Sequence, residues 1–371
     1  MNSQFHDQVA VVTGAGGTLC SAIAKHLASL GCKVVLVGRT REKLEKVAES
    51  IAVSGDAQNA DLAAGSPAPE SEGARTPCVR VAPADVTDEA AIQAMADRVL
   101  AEWGPCRFLV NGAGGNNPAA MPTRLRFSPE DLANEKSHSG TRTLREEGKL
   151  STNSQSSLST NDNSNCSTPS AALRESENVF ASAGGAMPRQ RGLGQGPSLS
   201  GGAAPRRERG FWDIDMAAFR SVLEINTLGT VIPSRIFGLQ MARAGGGAIL
   251  NFASMNTYRP LTRVAPYAMA KAAIANWTQF FAQYMAPAHV RVNAVAPGFM
   301  VNERSRKYLC TPDGGLSPRG EQVMAHTPMG RFGEAEDLLG CVEWLLDDTR
   351  AAFVTGITVP VDGGFLSSAG V

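Results

Sequence analysis

The chain has 371 residues, a formal net charge of zero and a pI of about 7.0, so it carries no excess charge that would attract nucleic acid or an anionic membrane. Its seven cysteines are scattered without a C-x-x-C pair and its five histidines are isolated, which argues against a disulfide framework and a metal site. With no apolar run long enough to span a bilayer and no signal peptide before the first strand, the sequence predicts a cytoplasmic protein.

Apolar runs typical of buried parallel strands alternate with helical patterns along the chain. The predicted strands are Gln8–Val12, Lys33–Val37, Cys78–Val81, Phe108–Val110, Ala248–Phe252, Val290–Ala294 and Thr358–Val361. The predicted helices are Ser21–Leu30, Arg41–Ala52, Asp88–Trp103, Met216–Ala244, Tyr267–Met285 and Glu334–Leu346. This alternation predicts an α/β fold with a doubly wound, seven-stranded parallel sheet of the Rossmann type.

Two polar segments interrupt the alternation. Residues 53–76 are rich in Ala, Gly, Ser and Pro, and residues 123–210 include the tract STNSQSSLSTNDNSNCSTPS. A segment with so little apolar surface to bury is predicted to be disordered, although a lid, a partner site or a phosphorylated tether remains an alternative. Apart from these two insertions, residues 1–371 read as a single domain.

A glycine-rich turn, VTGAGGTLCSA, follows the first predicted strand. It meets the pattern T-G-x-x-x-G-x-G at its first two positions, whereas Thr18 and Cys20 stand where the later glycines belong. A turn of this type presents backbone amides at a helix N-terminus, where the pyrophosphate of a dinucleotide binds. Alone, the pattern fits a plain turn equally well. The residues of this turn that would contact a cofactor are Thr13, Gly14, Gly16, Gly17, Thr18 and Leu19.

Tyr267 and Lys271, in YAMAK, lie four residues apart and therefore share one face of a predicted helix. A free phenol has a pKa of about 10, and an ammonium beside it favours the phenolate and lowers that pKa toward working pH. The spacing alone is also that of an ordinary surface pair. Two further residues, Ser254 in NFASM at a strand end and Asn226 in INTLGT on a helix, join this pair through a family resemblance, which implies a set for acid–base catalysis.

Five short motifs occur in an order that resembles the short-chain dehydrogenase/reductase family. In chain order they are TGAGGTL, ADV, NGAG, YAMAK and APG. Each lies at or just beyond the carboxyl end of a predicted strand, where ligands bind in open α/β sheets. The resemblance covers the chain outside the two insertions. It implies an NAD(P)-dependent oxidoreductase acting on the CH–OH group of a small molecule, in a family that usually forms homotetramers or homodimers.

The same resemblance implies a role for each residue of the catalytic set. In the reduction direction Tyr267 donates a proton to the carbonyl oxygen, and in oxidation it acts as the base. Ser254 hydrogen-bonds that oxygen and stabilises its developing charge. Lys271 tunes Tyr267 and holds the nicotinamide ribose, while Asn226 positions a relay water.

The end of the second strand bears on the choice of cofactor. In VVLVGRTR, Gly38 takes the place of an acidic residue that would bind the ribose of NAD, and the following Arg39 can pair with a 2′-phosphate. NADP is therefore expected, with NAD as the alternative if Arg39 only begins a solvated helix. Asp85 resembles the family's adenine-binding aspartate, although it also suits a helix N-cap. The other expected cofactor contacts are Val86, Asn111, Gly112, Ala113, Tyr267, Lys271, Pro297 and Gly298.

Longer stretches resemble a narrower group within that family, the D-mannonate oxidoreductases, or fructuronate reductases. They are NGAGGNNP, FWDID, SMNTYRPLT, AHTPMGRFGEAEDLLG and VTGITVPVDGGF. The long insertion and the Gly38-Arg39 pair depart from that group. The resemblance implies interconversion of D-fructuronate and D-mannonate; another ketone or an oxoacyl substrate is the alternative, as is a non-catalytic nucleotide-binding scaffold.

A sugar acid carries a carboxylate and several hydroxyls, and the loops around the reacting carbonyl supply matching side chains. An arginine can clamp a carboxylate bidentately, and asparagines can bind hydroxyls. The candidate substrate residues are Asn116, Asn117, Asn256, Arg259 and Arg263. Equally, such asparagines commonly satisfy only their local backbone.

Overall fold

The computed structural model describes residues 4–62, 78–125 and 208–368, all of which belong to one compact unit. Most of the predicted insertion of residues 123–210 and residues 63–76 of the smaller one lie outside the described residues. The disorder predicted for these two segments therefore stays a prediction.

In the described ranges the sheet has seven strands, all parallel. They are β1 (Val9–Thr13), β2 (Lys33–Gly38), β3 (Val79–Pro83), β4 (Cys106–Asn111), β5 (Gly247–Phe252), β6 (Val290–Pro297) and β7 (Thr358–Val361). Their order is β3-β2-β1-β4-β5-β6-β7. The winding reverses between β1 and β4, and at such a switch point an open α/β sheet forms its ligand crevice. The predicted doubly wound fold is confirmed.

Eight α-helices flank the sheet within the described part of the chain. They are α1 (Thr18–Ser29), α2 (Arg41–Leu62), α3 (Glu89–Trp103), α4 (Met216–Arg243), α5 (Ala265–Met285), α6 (Glu303–Leu309), α7 (Pro318–Ala325) and α8 (Leu339–Leu346). The short helices α6 and α7 were not predicted, because seven or eight residues make only about two helical turns, which is shorter than the window in which periodicity is read. Helix α2 continues past its predicted end at Ala52 into the segment read as an insertion.

Both faces of the sheet are buried, which explains why the strands are continuously apolar. On one face α1, α2 and α8 cover residues such as Leu36 and Phe108. On the other face α3, α4 and α5 cover residues such as Leu109 and Ile249. Because helices cover both faces, polar loop residues can gather at the carboxyl edge of the sheet.

Within the described residues, no helix is both long and apolar enough to cross a membrane.

The two described ends of the long insertion meet each other. The backbone amides of Thr123 and Arg124 donate to the carbonyl oxygen of Arg209, at 3.0 and 3.1 Å. The amide of Arg209 donates in return to Thr123 Oγ1 at 2.6 Å. After this stem the polypeptide enters α4, which is capped by the Asp215 side chain. The fold thus resumes close to the point at which the insertion leaves it.

Candidate active site

A cavity of about 320 Å³ opens beyond the carboxyl ends of β4, β5 and β6. The side chains of Asn226, Ser254, Tyr267 and Lys271, the four candidates for catalysis and hereafter called the catalytic group, all line it. They come from α4, the end of β5 and two positions on α5. The tertiary structure thus brings together four residues that span 46 positions of the sequence, from 226 to 271.

Tyr267 and Lys271 lie on the same face of α5, as their spacing predicts. The helix begins with Pro266 in its first turn, a position that suits proline. Lys271 is only 4 % exposed, and its Nζ donates to the carbonyl oxygen of Phe252 at 2.6 Å. The same Nζ lies 5.6 Å from the centre of the Tyr267 ring. The ammonium is therefore fixed beside the phenol by the end of β5.

Burial governs the protonation of this pair. It raises the pKa of the Tyr267 phenol above its ordinary value, and a hydrogen bond with Ser254 acts in the opposite direction. Burial also lowers the pKa of Lys271 to about 8. Removal from water disfavours whichever form is charged, so the two groups shift in opposite directions. From the sequence, the ammonium was expected to lower the pKa of the phenol. In the structure, desolvation has the largest effect on that pKa and raises it.

Ser254 lies two residues past the end of β5, in an extended conformation, and caps the short 3₁₀ turn Met255–Thr257. Its Oγ accepts hydrogen bonds from the backbone amide of Asn256 at 3.2 Å and from Asn256 Nδ2 at 3.3 Å. Both bonds use lone pairs of the hydroxyl, which leaves its O–H as a donor. Ser254 is therefore held in place with a proton available for an oxygen next to Tyr267.

Asn226 is fully buried and joins α4 to the loop that follows β4. Its Nδ2 donates to the carbonyl oxygen of Gly115 at 2.7 Å and to that of Val222 at 2.8 Å. Its Oδ1 accepts from the amide of Gly115 at 3.2 Å. This reciprocal pair fixes the loop backbone at the wall of the cavity.

A second cavity of about 410 Å³ adjoins the first at the switch point of the sheet. Gly14 has φ of +68°, and a Cβ there would lie 2.8 Å from the backbone of Gly112 and Ala113. Helix α1 begins after Gly17 without a side-chain cap and without an acidic residue in its first turn. The free amides of that turn and the positive end of the helix dipole suit an anion such as a pyrophosphate.

Cys20, which stands where a later glycine of the fingerprint belongs, is accommodated by a glycine elsewhere. A Cβ at Gly112 would overlap Cys20 Sγ, so the glycine after β4 makes room for the thiol. Burial raises the pKa of Cys20 to about 12. The thiol is therefore neutral and acts as a small packing group between α1 and the loop after β4.

The basic side chains at the end of β2 lie at the second cavity. Arg39 and Lys43 both line it, and Arg39 is exposed. The pKa of Asp85 is below its ordinary value. The main cause is the backbone amide of Thr87, which donates to Asp85 Oδ1 at 3.0 Å, and the nearby charge of Arg39 also lowers this pKa. Position 38 is glycine, so no carboxylate from that position opposes a phosphate here.

The expected cofactor residues fall into two sets. Those that line either cavity are Gly14, Gly16, Gly17, Thr18, Leu19, Arg39, Gly112, Tyr267, Lys271, Pro297 and Gly298. Those that line neither are Thr13, Asp85, Val86, Asn111 and Ala113. Thr13 Oγ1 instead accepts from the amide of Gly112 at 3.1 Å, and Asn111 Nδ2 bonds Ser234 and Asn251 inside the fold.

Several lining residues were missed from the sequence. They are Lys43, Gly114, Gly115, Phe252, Phe299, Met300 and Asn302. The last three directly follow the APG motif, and that position was an available signal.

The candidate substrate residues lie around the first cavity and none of them lines it. The asparagine oxygens serve nearby amides: Asn116 accepts from Asn117 at 2.9 Å, and Asn256 accepts from Leu261 at 2.9 Å. The oxygen of Asn117 does the same for Ala119 at 3.0 Å. These bonds agree with the alternative that asparagines in such loops satisfy their own backbone.

The two candidate arginines differ from each other. Arg259 donates to the carbonyl oxygen of Ser368 at 3.2 Å and thereby holds the C-terminal segment. Arg263 has φ of +70°, an uncommon conformation for a residue with a side chain. It is exposed and has no hydrogen-bond or ion-pair partner among the described residues. Of these two arginines, Arg263 is therefore the one whose guanidinium is available for a ligand.

Comparison with known proteins agrees with this geometry. The family model described as short chain dehydrogenase matches residues 8–132, and the one described as Enoyl-(Acyl carrier protein) reductase matches residues 199–366. Residues 133–198, within the long insertion, lie outside both matches.

Three similar proteins span nearly the whole sequence. The uncharacterized oxidoreductase UxuB of Bacillus subtilis (strain 168) is 32% identical over 371 residues, 100% of this chain and 99% of that protein. Cis-4-hydroxycyclohexanecarboxylate dehydrogenase of Sinomonas cyclohexanicum is 26% identical over 98% of this chain and 99% of its own length. A crystal structure of a candidate D-mannonate oxidoreductase from Haemophilus influenza with bound NAD has a TM-score of 0.70 and 28% identity, covering 99% of this chain and 97% of that protein.

The full-length similarity, the sheet order and the grouping of Ser254, Tyr267 and Lys271 beside a glycine-rich turn agree with one another. The chain belongs to the short-chain dehydrogenase/reductase family, and it is an oxidoreductase that acts on CH–OH groups with a nicotinamide cofactor.

Proposed function

We propose that the protein interconverts a ketone and a secondary alcohol of a sugar acid, of the D-fructuronate and D-mannonate type, with NADP preferred over NAD. The observation that carries the proposal is the convergence of the catalytic group in one cavity next to the glycine-rich cradle. A pure nucleotide-binding scaffold would have no need for four such side chains at one point.

The residues of the second cavity fit a dinucleotide. The amides at the start of α1 would hold the pyrophosphate, in the space that Gly14 and Gly112 leave free of side chains. Arg39, with Lys43 beside it, would bind a 2′-phosphate through charge-assisted hydrogen bonds. Lys271 would hold the nicotinamide ribose. When bound, the nicotinamide supplies or accepts the hydride.

The proton is handled by the protein itself. In reduction the Tyr267 hydroxyl gives its proton to the carbonyl oxygen, and in oxidation the phenolate accepts the proton of the alcohol. The Ser254 O–H, left free by the two bonds that its oxygen accepts, hydrogen-bonds the same oxygen and stabilises its negative charge. Because burial raises the pKa of Tyr267, the phenol is kept protonated for the reduction direction. Asn226, through Gly115, holds the wall of the cavity, and its assignment to a relay water is part of this proposal.

The preference for a sugar acid rests on two similar proteins and one side chain. Two of the full-length similar proteins, a candidate D-mannonate oxidoreductase and a cis-4-hydroxycyclohexanecarboxylate dehydrogenase, have names that denote a hydroxy acid. In this protein Arg263 lies on the loop between Ser254 and Tyr267, with its guanidinium unpaired among the described residues. We assign the substrate carboxylate to Arg263 rather than to Arg259, which is engaged with Ser368.

A ketone of an acyl thioester is the second candidate substrate. It is favoured by the apolar part of the cavity lining, Phe252, Phe299 and Met300, and by the family model described as Enoyl-(Acyl carrier protein) reductase. An acyl chain requires an apolar groove, whereas a sugar acid requires a cation.

The deciding experiment is a steady-state comparison of D-fructuronate, the uncharged ketohexose D-fructose and an oxoacyl thioester, with NADPH and with NADH. Wild type should prefer D-fructuronate, and Arg263→Ala should raise its KM about tenfold without changing turnover of D-fructose. Arg259→Ala is the matched control and should leave the preference intact. A wild type without preference for the acid, or an Arg263→Ala variant that keeps the preference in full, would refute the assignment.

The expected homodimer or homotetramer also belongs to this proposal. Leu239 on α4 and Phe280 and Tyr284 on α5 are large, apolar and more than half exposed, and exposed apolar surface of this kind favours association. Light scattering after size exclusion measures the mass, and a monomer at micromolar concentration would contradict the expectation.

The described cysteines are free thiols, which suits the reducing cytoplasm.

A further inference from the structure

The loop after β4 forms part of the cavity wall through Gly112, Gly114 and Gly115, and it contacts two members of the catalytic group. Gly115 forms the reciprocal hydrogen bonds with Asn226 described above. Ala120, which is fully buried, packs with Ala218 and Val222 of α4, and the ring of Tyr267 lies against this cluster. The position of the Tyr267 ring therefore depends on where this loop lies.

The loop has little regular structure of its own, apart from the 3₁₀ turn Pro118–Ala120. It is held from outside by Arg209, the residue at which the polypeptide returns from the long insertion. One guanidinium nitrogen of Arg209, Nη2, donates to the carbonyl oxygen of Pro118 at 2.9 Å and to that of Met121 at 3.2 Å. These two carbonyls flank Ala120, the residue that packs next to Tyr267.

The backbone of Arg209 adds a second attachment to the same loop. Its carbonyl oxygen accepts from the amides of Thr123 and Arg124, and its amide donates to Thr123 Oγ1. From the other side, the amide of Asp215 donates to the carbonyl oxygen of Ala119 at 3.1 Å. The loop is thus fixed between Arg209 and the start of α4.

The partners of the Arg209 side chain also distinguish it from the other arginines nearby. Among the residues that the structure describes, its guanidinium bonds only to carbonyl oxygens. Arg124, by contrast, pairs with the carboxylate of Glu208 at 3.4 Å. A guanidinium that donates to two carbonyls fixes a backbone turn through charge-assisted bonds, a role that differs from that of a surface ion pair.

We propose that Arg209 is a positioning residue for catalysis, which sets the Tyr267 ring through Ala120 and the cavity wall through the loop of residues 115–124. The inference rests on the function proposed above and extends it. Arg209 itself touches neither cavity. Since a shift of about 1 Å at a reacting group costs up to about 10²-fold in rate, loss of the clamp lowers kcat while cofactor binding, which uses the turn after β1, stays the same.

The test compares Arg209→Ala and Arg209→Lys with two control variants. Arg220→Ala removes an exposed arginine of α4 that has no partner among the described residues, and Glu208→Gln weakens the side-chain ion pair of the stem without touching the carbonyl bonds. We expect kcat of Arg209→Ala to fall about 10- to 100-fold, with the Kd for NADPH within about twofold of wild type. Arg209→Lys keeps a charged donor and should recover part of kcat, and millimolar guanidinium should raise kcat of Arg209→Ala but not that of the controls.

Amide hydrogen exchange separates this inference from the proposed function. In Arg209→Ala the peptide that covers residues 112–124 should exchange faster than in wild type, and the peptides that cover β1 and β6 should not. If wild type turns over a carbonyl substrate and Arg209→Ala does so equally well, the positioning role is excluded. A parallel loss of kcat, cofactor affinity and thermal stability would also exclude it, since that outcome indicates general unfolding. If wild type has no activity on any carbonyl, the proposed function fails, and unchanged exchange in residues 112–124 then overturns the clamp independently.

Discussion

The catalytic group and the candidate substrate residues were selected from the same sequence, yet only the catalytic group lines the first cavity. Tyr267 and Lys271 sit on one helix face at the cavity, and Ser254 stands at the end of a central strand. The candidate substrate residues sit on loops, where the asparagine oxygens serve local amides and Arg259 holds the C-terminal segment. Helices and strands fix the direction of a side chain from its position alone, whereas a loop residue takes whichever partner the local backbone offers.

The strongest test of the catalytic group is Tyr267→Phe, which removes only the phenolic oxygen. Positioned acid–base groups contribute about 10²- to 10⁴-fold to rate, so kcat should fall by that factor. Fluorescence titration should give a largely unchanged Kd for NADPH, because most of the expected cofactor contacts come from other residues. Tyr284→Phe, an exposed tyrosine of the same helix, is the matched control. Retention of more than a few per cent of wild-type kcat would show that another group donates the proton.

The buried side chain of Lys271 should make the free energy of unfolding depend on pH. Its pKa is about 8 in the folded protein against 10.5 for the free side chain. Between these values the unfolded state binds more protons than the folded one, so the stability of wild type should rise with pH across this window. The gain relative to Lys271→Met is about 3 kcal/mol over the whole window. Urea unfolding of both proteins at pH 7 and pH 10 measures it, and parallel curves for the two proteins would contradict the assignment.

Arg39 is an intermediate case, since a strand end determines its place while its side chain is exposed. Arg39→Ala should weaken the binding of NADPH about tenfold and leave the binding of NADH unchanged. The reason is that a charge-assisted contact to the 2′-phosphate contributes about 1.5 kcal/mol or more. Arg41→Ala is the control, since Arg41 pairs with Glu45 on α2. The ratio of the KM values for NADPH and NADH decides: a ratio near one in wild type, or the same ratio in wild type and Arg39→Ala, would contradict a preference for NADP through Arg39.

The smallest effect is expected for the insertion itself. Residues 126–207 can be replaced by a Gly/Ser linker of about half their length while Thr123, Glu208 and Arg209 stay in place. Halving a flexible loop changes its closure entropy by about 0.6 kcal/mol, so the free energy of unfolding should change by no more than about that amount. A loss of more than about 2 kcal/mol would mean that the segment packs on the fold, and a raised KM with unchanged stability would indicate a lid.

The sequence alone determined the sheet and most of the helices, and it singled out the four residues that the structure brings to one cavity. Continuous apolar strands alternating with helical patterns leave little choice of architecture, and the four-residue spacing of Tyr267 and Lys271 places both on one face of α5. The helices α6 and α7, of seven and eight residues, were too short for their periodicity to be recognised.

What only the tertiary structure decided depends on contacts between residues far apart in sequence. The direction of the Tyr267 and Lys271 pKa shifts follows from burial, which the spacing of two residues does not reveal. Cys20 fits because Gly112 leaves room for it across the switch point. Arg209 reaches Pro118 across 91 residues of sequence, and no local pattern marks such a bond. Local propensity and periodicity act over a few residues, whereas burial and hydrogen-bond partners are set by the whole fold.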